Sequence, residues 1–200
     1  MTTPTLRYYL APRSPWTYLG HHRVRQLAAK YGVPIELRPF DLGEIFPITG
    51  GLQLAQRSPQ RQAYRLIEIE RWSKFLNLPM SLQPRHFPME EHNAARMILA
   101  ALRRFGTEAA LDLAGACLKA VWSRELNIAD PATLQTLAGE CGLPGKELWD
   151  ASAAEEESYA SNTKAALELG VFGAPWYEYR GESFWGQDRL DFLERAMQSA

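Results

Sequence analysis

The 200-residue chain has only two cysteines, Cys117 and Cys141. A disulfide framework is thereby excluded, and the fold must rest on a hydrophobic core. Charge of either sign is not in excess: Lys+Arg 22 against Asp+Glu 23 gives a formal net charge of −1. No basic surplus argues for nucleic acid or an anionic membrane as partner. No run reaches the roughly 18 apolar residues that span a bilayer. Met1 to Tyr9 lacks a basic segment leading into an apolar one, so export is not expected and the location implied is cytoplasmic. Histidine is sparse. His21 and His22 are adjacent and face different directions on a helix, and His86 and His92 have no partner four residues away, so no metal site is expected. What is present, 46% hydrophobic and 22% charged residues, is the composition of an ordinary globular domain.

The first forty residues read as strand, helix, strand. Leu6–Leu10 is β-prone and closed by Pro12. Leu19, Val24, Leu27 and Ala28 recur at helical spacing from Pro15 to Lys30, and Gly32 stops them. Val33 to Phe40 alternates as a half-buried strand does. A unit of this length predicts parallel strands with a right-handed crossover. From about Ser58 to Leu169 the pattern is helical, with stripes at Leu66/Ile69/Trp72/Leu76, at Ala94 to Phe105 and at Ala110 to Val121. Thr107 is the expected N-cap of the third stripe, and Asp130-Pro131 that of the next. A last helix of this segment carries Tyr159, Asn162 and Ala166. Trp72, Trp122 and Trp149 are expected in the core of a helical bundle packed on itself, Cys117 and Cys141 are expected as small buried hydrophobes, and Glu155-Glu156-Glu157 as a solvated face. Trp176–Tyr179 and Ser183–Trp185 form a hairpin about Arg180-Gly181-Glu182, and Asp188 is placed as the cap of a final helix. The order βαβ, helices, ββα defines an α/β fold: a thioredoxin-like domain (1–54 and 170–200) with a large all-helical insertion (55–169), as in DsbA-like proteins.

Three stretches converge in such a fold. Ser14-Pro15-Trp16-Thr17 opens the first helix where a redox relative carries Cys-x-x-Cys, and both cysteines are hydroxyls here. A helix N-terminus favours an anion, including a thiolate. With no cysteine in place, a thiol must come from a ligand, to whose sulfur Ser14 can donate. Gly170-Val171-Phe172-Gly173-Ala174-Pro175 places a proline before a strand. In this fold that proline is cis and offers the main chain of Ala174 to an extended peptide-like ligand. Phe184-Trp185-Gly186-Gln187-Asp188-Arg189-Leu190 puts Asp188 where it can pair with an ammonium while neighbouring N–H groups take a carboxylate. Each has a plain reading too: an N-cap serine, a strand-starting proline, an N-cap aspartate.

Taken together, these motifs resemble the 2-hydroxychromene-2-carboxylate isomerase family, close to kappa-class glutathione transferases within the DsbA-like superfamily. The resemblance extends to Ile45-Phe46, Thr49-Gly50, Ala63-Tyr64, Glu70-Arg71-Trp72 and His86-Phe87-Pro88. It implies a cytoplasmic, homodimeric, glutathione-dependent isomerase of aromatic catabolism, acting on a small aromatic or enone-acid substrate. By motif match Ser14 is the catalytic residue beside the glutathione sulfur. Ala174, Trp185, Gly186, Gln187 and Asp188 hold the tripeptide, and Arg61, with Arg57 as a nearby alternative, stands where relatives often carry a lysine that reaches its glycyl carboxylate. Arg13, Trp16 and Arg57 are assigned to the substrate. The implied chemistry is reversible addition of the glutathione thiolate to a conjugated enone, rotation about the resulting single bond, and release of glutathione. The alternatives are a kappa-like glutathione transferase and a non-catalytic glutathione-binding or interaction module. A disulfide oxidoreductase is disfavoured by the missing cysteines. Arg13 replaces the acidic stretch usual before the serine, Gly51 stands where asparagine is common, and Glu90 ends what is usually Pro-x-Asn.

Overall fold

Leu6, Tyr8 and Leu10 lie on one face of the first strand, and Tyr9 on the other is buried as well. A strand covered on both faces belongs in the middle of a sheet. The computed structural model places it there. It describes residues 4–198; residues 1–3 and 199–200, the outer ends of the two segments assigned to the thioredoxin-like unit, lie outside the described residues. Four strands, β1 (Leu6–Leu10), β2 (Ile35–Pro39), β3 (Trp176–Tyr179) and β4 (Glu182–Trp185), form a mixed sheet in the order β2-β1-β3-β4. β1 runs parallel to β2, with Leu6 opposite Ile35, and antiparallel to β3, with Tyr8 opposite Tyr177.

Helix α1 (Pro15–Tyr31) makes the crossover between β1 and β2. Ser14 caps it, Pro15 occupies its first turn, and Gly32 closes it at φ 62°, a left-handed geometry that glycine adopts freely. The β3–β4 hairpin is tighter than the sequence indicated. Arg180 (φ 54°) and Gly181 (φ 82°) alone make a two-residue turn, and Glu182 already pairs with Tyr179. Both central residues at positive φ is the turn geometry whose twist matches the strands.

Between β2 and β3 run α2 (Leu42–Thr49), α3 (Pro59–Phe75), α4 (His92–Phe105), α5 (Thr107–Trp122), α6 (Pro131–Glu140), α7 (Gly145–Ser152) and α8 (Glu156–Glu168), and α9 (Leu190–Gln198) ends the described chain. These helices do not pack only on one another: α5 lies against α1 and β2, and α8 against β2. His21 of α1 marks that seam. It is buried, its Nε2–H donates to the Leu111 carbonyl at 2.9 Å, and its Nδ1 accepts from the Tyr8 hydroxyl at 3.2 Å. A carbonyl can only accept, which fixes the neutral tautomer, and burial pushes its pKa down to about 4.

Several local expectations are corrected. Thr107 is the first residue of α5 rather than its cap, because Gly106 makes the turn out of α4 and no side chain caps the helix. Asp130 does cap α6, accepting from the Thr133 N–H at 2.9 Å. Of the three tryptophans assigned to the core, only Trp122 is fully buried; Trp72 and Trp149 are half-buried, as is Cys141. Glu155 is not solvated. It is buried because Arg103 of α4 reaches it at 2.8 Å. Asp188 lies in a 3-10 turn ahead of α9, pairs with Arg189 at 2.7 Å and caps nothing. Among the described residues no helix is long and apolar enough to cross a membrane.

Candidate active site

Strand β1 ends beneath the start of α1, and the chain entering β3 arrives beside it. At this junction Ser14, 6% exposed, uses its Oγ to accept from the Thr17 N–H at 3.2 Å. The same hydroxyl donates to the Ala174 carbonyl at 3.4 Å, a long bond that a better acceptor would displace. The Ala174–Pro175 peptide is cis. No acidic side chain occupies the first turn of α1 to neutralise its positive end. Thr17, which shares the Cys-x-x-Cys spacing, is fully buried. Ser14 alone of the two hydroxyls faces outward.

The opening in front of Ser14 is a cleft of about 1020 Å³ lined by α1, α2, α3, the Phe87–Glu91 segment and the chain around the cis-proline. Trp16, Ala174, Trp185, Arg13, Arg57 and Arg61 line it with Ser14, so seven of the ten residues singled out from sequence meet there. The other three lie beside it. Gly186, at φ 94°, hydrogen-bonds the Pro175 carbonyl through its N–H at 2.9 Å. Gln187 is turned inward: its Oε1 and its backbone carbonyl accept from Arg23 of α1 at 2.9 and 3.0 Å. Asp188 is exposed against Arg189. Trp185 packs edge-on to Phe172 at 4.7 Å between centroids. Its indole lies over Gly173 so closely that any Cβ there would overlap it. Gly173→Ala should therefore displace Trp185; if glutathione, the ligand the sequence resemblance implies, binds here, its affinity in calorimetry should fall several-fold without a comparable drop in melting temperature. Gly51 is explained similarly: a side chain there would strike the Phe46 ring lining the cleft.

Arg13 is not a free cation. Its guanidinium lies 2.9 Å from Glu91 Oε1 and donates to the Met89 carbonyl at 2.6 Å, while its backbone N–H donates to Glu91 Oε2 at 2.8 Å. Glu91 thus ties down the residue preceding Ser14. It is itself buried beside Asp41, Glu90 and the unpartnered Tyr159 hydroxyl, and burial pushes its pKa up to about 7 against the pull of Arg13. This predicts opposing pH trends. Between 4.5, its ordinary value, and about 7, Glu91 keeps its proton only in the folded state, so its contribution to stability falls as pH rises. For His21, between about 4 and 6.5, the unfolded state binds the extra proton, so stability rises with pH. Glu91→Gln should leave the His21 rise alone, and melting curves across this range check it.

Sequence reasoning did not single out Glu91 or Arg65. Arg61 and Arg65 share one face of α3 at a spacing of four, which would place Arg65 beside the cleft but not show that it lacks a partner. Neither cysteine lines the cleft. Cys117 is buried in the core, which pushes its thiol pKa up to about 12.

A thioredoxin-type sheet, a helix N-terminus and a cis-proline around a serine define a DsbA-like protein without the redox cysteines. The chain belongs to the DSBA-like thioredoxin domain family, whose model matches residues 5–198, and within it to the 2-hydroxychromene-2-carboxylate isomerases. It is 30% identical to the 2-hydroxychromene-2-carboxylate isomerase of Sphingobium xenophagum over 96% of this chain and 97% of that protein. It is 29% identical to the enzyme of that name from Pseudomonas putida, over 95% and 92% of the two chains. A solved structure of a 2-hydroxychromene-2-carboxylate isomerase superposes with a TM-score of 0.83 at 25% identity, covering 98% of this chain and 95% of that one. Relatives that are isomerases over nearly their full length support an enzyme here.

Proposed function

We propose that the chain is a cytoplasmic, glutathione-dependent isomerase acting on 2-hydroxychromene-2-carboxylate or a similar enone acid of aromatic catabolism, and that it works as a homodimer. The observation that carries this reading is Ser14 at the N-terminus of α1, whose first turn has no acidic side chain, beside a cis-proline and in a cleft that no cysteine of the chain enters. The donor set suits the tripeptide. Ala174 offers main chain for pairing, Trp185 a wall, and Arg61 a cation for the glycyl carboxylate. Asp188, exposed just past Gly186, is the candidate for the ammonium end. Gln187, whose Oε1 and backbone carbonyl are held by Arg23, fixes the geometry of that stretch. Glutathione bound there would supply a thiolate that adds reversibly to the enone and permits rotation about the former double bond.

The protein's own residues prepare that chemistry. The positive end of α1 favours charge on the sulfur, and the Ser14 hydroxyl turns from the weak Ala174 contact to donate to it. Arg13, held by Glu91, sets the backbone on which Ser14 sits. Trp16 and Trp185 flank the opening with apolar surface that excludes water from the reacting atoms. Exposed Ile67 and Phe75 on α3 offer apolar surface for a second subunit.

Incubation of 2-hydroxychromene-2-carboxylate with the protein and substoichiometric glutathione is the direct test, with products followed by mass spectrometry. Complete conversion with glutathione recovered intact is expected. Glutathione retained on the product would mean a transferase, and no conversion would remove the isomerase reading.

A further inference from the structure

Four arginines line the cleft, and their surroundings differ. Arg13 is spent on Glu91 and the Met89 carbonyl. Arg57 donates through Nε to the Leu52 carbonyl at 2.9 Å. Arg61 is exposed and makes no side-chain hydrogen bond or ion pair with any described residue. Arg65 is half-buried, and its guanidinium makes no hydrogen bond or ion pair with any described residue. It is held instead by rings, 5.4 Å from the centroid of Phe87 and 5.7 Å from that of Trp122. A desolvated cation without an acceptor is unfavourable, and here burial and the neighbouring Arg57 pull its pKa down to about 10. Its nitrogens are not sealed off, since none is among the buried unpartnered atoms, so they reach the cleft the residue lines.

Position ties this cation to the reacting centre. The Trp122 ring beneath it donates through Nε1–H to the Arg13 carbonyl at 3.1 Å, and Arg13 immediately precedes Ser14. Stacking on rings fixes the plane of a guanidinium while leaving its edge free, the presentation that a carboxylate accepts through two parallel hydrogen bonds.

We propose that Arg65 is the specificity-determining residue for the substrate's carboxylate, so that the cleft selects planar aromatic or enone carboxylates over their neutral counterparts. This rests on the isomerase reading for the identity of the substrate but not for the recognition itself. Bound carboxylate completes the guanidinium's hydrogen bonds and lays the adjoining planar system along the apolar side of the cleft, toward Trp16 and Trp185. Arg57 and Arg61, nearer the rim, add a positive field that draws the anion in.

The probes are 2-naphthoate and the uncharged 2-naphthamide, titrated calorimetrically into glutathione-saturated protein. In the wild type the acid should bind at least about tenfold more tightly than the amide, through a charge-assisted pair. Arg65→Gln should abolish that preference while leaving the amide's affinity within about twofold, and Arg65→Lys should restore part of it. Lys74→Gln removes the same charge from exposed α3 surface and should change nothing. No preference in the wild type, or preference retained in Arg65→Gln, overturns the proposal. Thermal melts and unchanged amide binding show that a variant is folded. Because binding is read without turnover, loss of the preference in a protein that fails to isomerise keeps Arg65 and removes only the isomerase reading.

Discussion

Ser14→Ala is expected to cut isomerase turnover by about one to two orders of magnitude, because losing the donor to the proposed thiolate lets the bound thiol ionise nearer its free value of about 8.5 and depletes the nucleophile near pH 7. The alanine side chain cannot donate to the ligand's sulfur, and the bond to the Ala174 carbonyl, already long at 3.4 Å, goes with it. Ser14 is also the cap of α1 through the Thr17 N–H, so the same change should cost about 1 kcal/mol of stability. Two further variants separate these roles. Ser14→Thr keeps both cap and hydroxyl and should retain most activity. Ser14→Asp keeps the cap but would set a carboxylate against the proposed thiolate, and should be the least active of the three. If activity instead followed capping strength, Ser14 would be structural only.

Trp122→Ala should lower stability by about 4 kcal/mol, the cost of emptying a buried tryptophan site. In a chain of this size that corresponds to a fall in melting temperature of about 10 °C. Trp122 is fully buried, packs on Phe87 at 4.9 Å between centroids, carries Arg65 on its face and holds the Arg13 carbonyl. Because it links the helical segment to the residue before Ser14, the loss should reach the site. Trp122→Phe fills most of the volume without the N–H; it should recover most of the melting temperature but still lower turnover several-fold. Equal stability and activity in that variant would show that the indole N–H positions nothing.

Local sequence signals carried the strands and α1 well, because their determinants are local: alternation at Leu6 to Leu10, a serine and proline before a helical stripe, a glycine after it. Asp130-Pro131 succeeded for the same reason. Thr107 failed because the preceding glycine ends one helix and begins the next, leaving no extended residue to cap from. Glu155 failed because its burial depends on Arg103, fifty-two residues away. The site divides in the same way. Ser14, Ala174 and Trp185 stand on motifs with fixed places in the fold, and the structure gathers them into one cleft. Gln187 carries the motif too, but its side chain is claimed by Arg23, a contact no spacing rule reveals. Arg65 was hidden for the opposite reason. What distinguishes it is half-burial without a partner, and sequence contains no sign of which arginines are left so.

The central claim is that a ligand's sulfur is held as an anion at the start of α1. It is tested most directly by titrating the ultraviolet absorbance of the thiolate in the glutathione complex against pH, in wild type and Ser14→Ala. The account predicts a bound thiol ionising well below the free value of about 8.5, moving back toward it in the variant. A bound thiol that ionises at or above the free value, in both proteins alike, would contradict it.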